Sequence, residues 1–208
     1  MAGMLEVDHV LIAVGNLEEA AERFEADHGL VSIDGGRHPG WGTANRLIPL
    51  GREYLELIGV VDPDEALAHP FGRWMLDRVA DGDHLLRCCL RPTDIEETAE
   101  RIGHEPVPGS RQTPEGRSVH WRLVGLEAAM SDNLPFFIEW SPDSPHPAAT
   151  TVKHPSNAMG IAWVEIGGQP QHLREWLGEN VAAVRLVGDS PGVKAVGIIA
   201  PDGDIVLT

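Results

Sequence analysis

The sequence has little of what a disulfide scaffold, a membrane protein or a nucleic-acid binder needs. Two of its 208 residues are cysteines, Cys88 and Cys89, and they are neighbours. A disulfide framework needs partners separated in sequence, and a zinc site needs C-x-x-C spacing, so neither is expected. Adjacent strand positions point to opposite faces, which makes the pair two small core residues. Lysine is nearly missing: Lys153 and Lys194 are the only two among 16 basic residues, against 32 acidic ones and a net charge of -16. That balance excludes a phosphate backbone as partner, because such binding depends on clustered Lys and Arg. No run reaches the roughly 18 apolar residues of a membrane span. Met1 to His9 lacks the basic and apolar segments of a secretory signal, so a cytoplasmic protein with no membrane partner is expected. A G-x-S-x-G elbow, a phosphate-binding G-x-x-x-x-G-K-[ST] loop and a Rossmann fingerprint are all missing.

What is present is a repeat. Hydrophobic residues make up 42% of the chain and charged ones 23%, the balance of a chain that buries a core. At roughly 100–200 residues per domain, that allows one compact unit or two small packed ones. Asn16 to Arg23 recurs as Asp94 to Arg101, with five of eight positions identical. Each copy starts with an N-cap residue followed by acidic residues in the first turn, and each carries an apolar stripe. A strand-like run precedes each helix (Asp8 to Val14; Leu85 to Leu90), and strand-like runs follow. These are Arg46 to Leu50 and Arg52 to Val60 in the first copy, and Val119 to Val124 and Phe136 to Trp140 in the second. The pattern predicts an α+β fold of βαβββ modules, over 1–62 and 84–141. A third, partial module over 158–208 has its strand at Ala158 to Ile166 and its helix at Gln171 to Leu177. Pro-, Asp- and His-rich linkers are expected at 63–83 and 142–157, all within one compact unit.

Asp8-His9-Val10, the segment Gly35-Gly36-Arg37-His38-Pro39-Gly40-Trp41-Gly42-Thr43-Ala44-Asn45-Arg46, Tyr54 to Ile58 and Leu134 to Trp140 carry a resemblance over nearly the whole chain. In these stretches it resembles the glyoxalase-like domain family of the vicinal oxygen chelate superfamily. The resemblance implies paired modules curling mixed sheets around a cavity. In many members a divalent metal there chelates two neighbouring substrate oxygens, and others bind a ligand without metal. Activities in the superfamily include glyoxalase, extradiol dioxygenase, epimerase and antibiotic-resistance functions; the family name does not choose among them.

Strand alternation puts Val10, Ile12, Val14, Leu55 and Leu57 under the helix, and His9 and Glu56 together on the opposite face. An imidazole and a carboxylate there suit Fe, Mn, Ni, Co or Zn, or else form a plain hydrogen bond. Glu139 alternates with Phe136, Ile138 and Trp140 and is taken as the counterpart of Glu56 and a third ligand. Counting back from the aligned helices makes Arg87 the counterpart of His9; a guanidinium cannot ligate a metal, so Arg87 is assigned to a substrate carboxylate or to Glu139. His154, beside Pro155, stands where the family tends to carry His-Pro and is a further candidate ligand; His120 and His84 rank lower. His28, His69, His104 and His146 are assigned to the surface. The Gly35 to Arg46 loop offers an anion clamp, a stacking surface and an amide in Arg37, Trp41, Asn45 and Arg46, or else a structural hairpin.

The leading expectation is therefore a metal-dependent enzyme (lyase, isomerase or dioxygenase-like) acting on a small oxygen-rich substrate. His9, Glu56 and Glu139 or His154 would hold the ion, and a coordinated carboxylate, Glu56 or Glu139, or a coordinated water would move the proton. The alternative is a metal-free protein of the bleomycin-resistance type that sequesters a small ligand. A homodimer built on sheet edges is a third reading.

Overall fold

The computed structural model of the protein describes residues 5–178, 181–188 and 190–208. Its first strand, β1 (Glu6–Ala13), is buried almost throughout. Helix α1 (Leu17–His28) follows, started by Asn16, whose side chain accepts from the Glu18 and Glu19 amides. Gly29 ends it at φ 62°, a left-handed position that a Cβ would strain. Strands β2 (Ile33–His38), β3 (Thr43–Leu50) and β4 (Glu53–Val60) complete the first module. Two helices, α2 (Pro63–Ala68) and α3 (Pro70–Val79), lead to β5 (His84–Arg91) and to α4 (Ile95–Ile102), capped by Asp94 as α1 is by Asn16. Then come β6 (Val107–Gln112), β7 (Ser118–Val124), α5 (Leu126–Asp132) and β8 (Phe136–Trp140).

The eight strands close into a barrel in the order β1-β4-β3-β2-β6-β7-β8-β5. The modules meet along two unequal seams. Strands β1 and β5 pair antiparallel over most of their length, whereas β2 and β6 are matched at Arg37 and Gln112. The third module forms a separate sheet from β9 (Gly160–Gly167), α6 (Pro170–Leu177), β10 (Val184–Val187), β11 (Gly192–Ile199) and β12 (Ile205–Leu207), ordered β10-β9-β11-β12. It packs on the outside of the barrel, with β11 against β5 and Trp176 Nε1 donating to the Pro135 carbonyl at 2.8 Å. No described helix is long and apolar enough to cross a membrane.

Apolar residues fall into two clusters, as two-residue alternation demands. Val10, Ile12, Leu55, Leu57, Cys88 and Phe137 face outward into the layer shared with the helices. Leu11, Ile58, Cys89, Phe136 and Ile138 face into the barrel. Each fully buried Leu or Phe contributes roughly 1.5–3 kcal/mol relative to exposure. Cys88 and Cys89 thus belong to different cores, and both are free thiols.

The prolines of the expected 63–83 linker mislead, because proline also favours the first turn of a helix. Pro63 and Pro70 open α2 and α3, with Asp62 and His69 as N-caps. Helix α3 then buries Phe71 and Met75 inside the barrel. Of the two readings of Gly35 to Arg46, the structure has the hairpin, formed by β2 and β3, with His38 opposite Thr43.

Candidate functional site

The barrel wall is polar at one place. His9 on β1, Tyr54 and Glu56 on β4, Asn45 on β3, His38 on β2 and Arg111 on β6 all point inward and line a cavity of about 40 Å³. Trp41, Phe71, Trp121, Phe136 and Trp140 supply much of its remaining surface. Such a space holds a few small groups and little water, so charges inside interact strongly.

His9 is the centre of the arrangement. Its Nδ1 lies 2.7 Å from Asp8 Oδ1 and its Nε2 3.3 Å from Glu56 Oε2. The ring stacks on Tyr54 at 4.5 Å between centroids. Asp8 is itself held by three further groups: Arg91 and Trp140 donate to Oδ2 at 3.0 and 3.2 Å, and His146 Nε2 lies 3.0 Å from it. Across the cavity, Asn45 Nδ2 donates to Glu56 Oε1 at 2.7 Å. His38 sits next to it, with Nδ1 2.9 Å from Thr43 Oγ1 and Nε2 3.5 Å from Asn45 Nδ2.

These contacts set the charges. Burial alone would strip the proton from His9, but Cys89 and the carboxylates of Asp8 and Glu56 raise its pKa well above the ordinary value. The Cys89 thiol, pushed up to about 12 by burial, is neutral near pH 7, so the two carboxylates hold the imidazolium. Burial opposes ionisation of Glu56 too, yet hydrogen bonding and attraction from His9, followed by His38 and Asn45, bring it down to about 2. Asp8 is likewise held low, with hydrogen bonds from His146 and His9 outweighing burial. His38 behaves oppositely: burial lowers it to about 4 despite Glu56, so it is a neutral ring beside a charged pair.

A scan against protein families matches the glyoxalase-like domain over residues 7–181. The chain belongs to the glyoxalase-like domain family. Among solved structures, a hypothetical protein from Staphylococcus aureus is similar at 19% identity and a TM-score of 0.66, covering 98% of this chain and 84% of the other. A hypothetical protein from Bacillus halodurans matches at 18% identity and a TM-score of 0.48, covering 68% and 98%. A methylmalonyl-CoA epimerase from Mycobacterium tuberculosis matches at 18% identity and 0.46, covering 65% and 88%. The first similarity is one of fold. None of the curated proteins matches.

Within this glyoxalase-like barrel, the donors expected around a metal do not assemble. His9 and Glu56 meet, but Glu139 and His154 are elsewhere. On β8 the inward positions are Phe136, Ile138 and Trp140, so Glu139 falls on the outer face, where Arg122 Nε donates to it at 2.9 Å. Both faces of β8 are apolar, which is why hydrophobicity assigned the wrong one. His154 is buried outside the cavity, accepting from the Val31 amide at 3.0 Å and donating to the Pro49 carbonyl at 2.7 Å. His38 stands 4.0 Å from Glu56, but the Asn45 amide group lies against both, presenting donor hydrogens where a cation would need electron pairs. Among the described residues no three His, Cys, Asp or Glu side chains group as a metal site. The donor set does not fit the ion.

The counterpart of His9 is also corrected. Strand pairing sets Tyr54 beside His9 and Phe136 beside Cys89, so Cys89 and Ile138 stand where the first module has His9 and Glu56. Arg87 lies next to a register shift in β5, and its guanidinium turns from the cavity to the Ala129 and Leu86 carbonyls, over the Trp74 ring. Of the hairpin residues, Trp41 and Asn45 reach the cavity. Arg37 is outside, pairing with Glu65 at 3.1 Å, and Arg46 turns to Glu18 at 3.0 Å, because they alternate with the inward His38 and Asn45. His120 and His84 do not line the cavity; His84 Nδ1 lies 2.8 Å from the Gly82 carbonyl oxygen.

Sequence reasoning missed His38, Arg111 and the structural role of Asp8, and assigned His146 to the surface. Carrying strand alternation through the hairpin alternative would have exposed His38, since it puts His38 across from Thr43 on the face shared with Asn45.

Proposed function

We propose that the chain is a metal-independent acid–base enzyme of the isomerase or lyase type, acting on a small oxygen-rich carbonyl compound. The observation that carries this reading is the buried series Asp8–His9–Glu56, one imidazole between two carboxylates at the edge of a small aromatic cavity. Asp8 orients and charges the ring. Its Nε2–H is the acid that protonates a substrate carbonyl oxygen, and Glu56 is the base that takes a proton from the adjacent carbon. The two transfers convert an ion pair into a neutral pair, so no net charge is buried as the enol forms. Return of the Glu56 proton to another carbon or face, with His9 recovering its own, yields the isomer. Tyr54 and the indoles limit water around the pair, which strengthens its electrostatics, while the proton on Glu56 still exchanges with solvent in the enol complex.

Solvent deuterium exchange tests it. Chelator-treated protein in D2O should label the carbon beside the carbonyl of small hydroxyketones and 2-oxo acids, read by NMR. Glu56→Gln and His9→Gln should fall to the background rate. Equal labelling by wild type and Glu56→Gln would refute the reading, and loss on chelation with recovery on adding a divalent ion would restore the metal. The second reading, a binding protein, is favoured by the fact that His9 and Glu56 already satisfy each other; it predicts binding without exchange.

A further inference from the structure

We infer that Arg111 is an anion-binding residue and that the ligand is a small carboxylate, its carboxylate on the guanidinium and its neighbouring carbon toward His9 and Glu56. The placement of the carbon rests on the acid–base reading above; the carboxylate contact does not. Arg111 comes from β6, next to the narrow seam with β2, and is 6% exposed. A buried guanidinium is normally paired, because an isolated charge in a low-dielectric interior is costly. Among the described residues no carboxylate lies within ion-pair distance of it; Glu56 attracts it only from farther across the cavity. It donates to a backbone carbonyl, that of Gly35. A guanidinium has five N–H donors in a planar fork, and those of Arg111 not bonded to Gly35 open to the cavity and the cleft, where a ligand can reach them.

Its position says where that ligand sits. Arg111 and Leu47 line both the inner cavity and a larger outer cleft of about 440 Å³ between β2, the 113–119 turn and the 145–150 segment. The carboxylates of that cleft are engaged or exposed: Asp34 pairs with Arg46, and Glu115 is at the surface. Because Arg111 and Glu56 line the same small cavity, a group held by the one and a carbon reached by the other belong to one small molecule. A carboxylate attached to the reacting carbon or carbonyl, as in a 2-oxo acid, meets that limit, with any side chain extending into the outer cleft. The Arg87 role expected from sequence thus passes to a different arginine.

Quenching of the cavity indoles (Trp41, Trp121 and Trp140) gives a direct binding readout. Wild type is titrated with acetate, pyruvate and benzoylformate, with the corresponding neutral amides, and with methyl phosphate. At least one carboxylate should bind about tenfold or more tighter than its amide, a ratio worth roughly 1.4 kcal/mol. Arg111→Gln should abolish the preference, Arg111→Lys should retain part of it by keeping charge without the fork, and Arg37→Gln should leave it unchanged. The inference is overturned by equal binding of acid and amide, by no carboxylate binding at millimolar concentration, by an unaltered Arg111→Gln, or by methyl phosphate outranking every carboxylate. Should Arg111→Gln fail to fold, the acid-to-amide ratio of wild type decides alone. Carboxylate preference without deuterium exchange would sink the acid–base reading and spare this one; exchange without the preference would do the reverse.

Discussion

Asp8 Oδ1 and His9 Nδ1 are 2.7 Å apart although adjacent residues on a strand point to opposite faces. The contact is possible because a register shift between Val7 and His9 in the pairing with β5 breaks the alternation: Val7 joins Val10 and Ile12 in the outer cluster, and Asp8 falls on the inner side with His9, where Arg91, Trp140 and His146 hold its carboxylate. Neutralising Asp8 should be felt on both sides. Asp8→Asn should cost about 3–5 kcal/mol in chemical denaturation, the range for breaking a buried pair. A loss under about 1 kcal/mol, the worth of an exposed ion pair, would show that the contact is not the clamp described.

His38 makes stability depend on mildly acid pH. Its pKa is depressed from 6.5 to about 4, so the unfolded state takes up the proton first. The neutral ring's contribution is fully present above pH 6.5 and is lost as pH falls toward 4, on the order of 3 kcal/mol over that window. His9 acts in the opposite sense: its contribution is complete below pH 6.5 and disappears as pH rises through its elevated folded-state value. Denaturation midpoints of wild type and His38→Asn between pH 7 and pH 4 check this. The variant should show a shallower decline, and parallel curves would exclude His38 as the cause.

Gly35 is required by packing, not by its turn. A Cβ there would overlap Asn45 Oδ1 and approach Leu47 Cγ at 3.0 Å. Since Asn45 donates to Glu56, Gly35→Ala should disturb the site and cost about 1–3 kcal/mol, as overpacking does. Removing the obstructing amide should relieve the overlap, so Gly35→Ala combined with Asn45→Ala should lose less than the sum of the single losses. Strict additivity would contradict the contact.

Much of the architecture was legible in the chain itself: the Asn16 and Asp94 caps, the alternating faces of β1 and β4, and the third module. The site was legible only where one face of a strand was polar. His9 and Glu56 stood out because Val10, Ile12, Leu55 and Leu57 marked the opposite face. On β8 both faces are apolar, and the glycines of β2 and of the turn before β3 hid the alternation, so Glu139 was drawn in and His38 left out. Arg111 gave no signal, because the barrel closure that buries it joins strands far apart in sequence. The two displaced ligands make a test. Glu139→Ala should change stability by less than about 1 kcal/mol, as exposed pairs do, and leave ligand binding alone. His154→Ala should cost about 1–3 kcal/mol by orphaning the Val31 amide and Pro49 carbonyl, again without touching binding. Lost binding in a folded Glu139→Ala protein would return that residue to the site.

The most direct test is the protonation state of the His9 ring, followed by nitrogen-15 NMR from pH 6 to pH 9. Both ring nitrogens should carry protons at pH 7 and keep them well above the ordinary histidine value of about 6.5, with Glu56→Gln lowering the titration. A His9 ring that is neutral at pH 7, or that titrates alike in wild type and Glu56→Gln, would contradict the imidazolium–carboxylate pair on which the proposed chemistry stands.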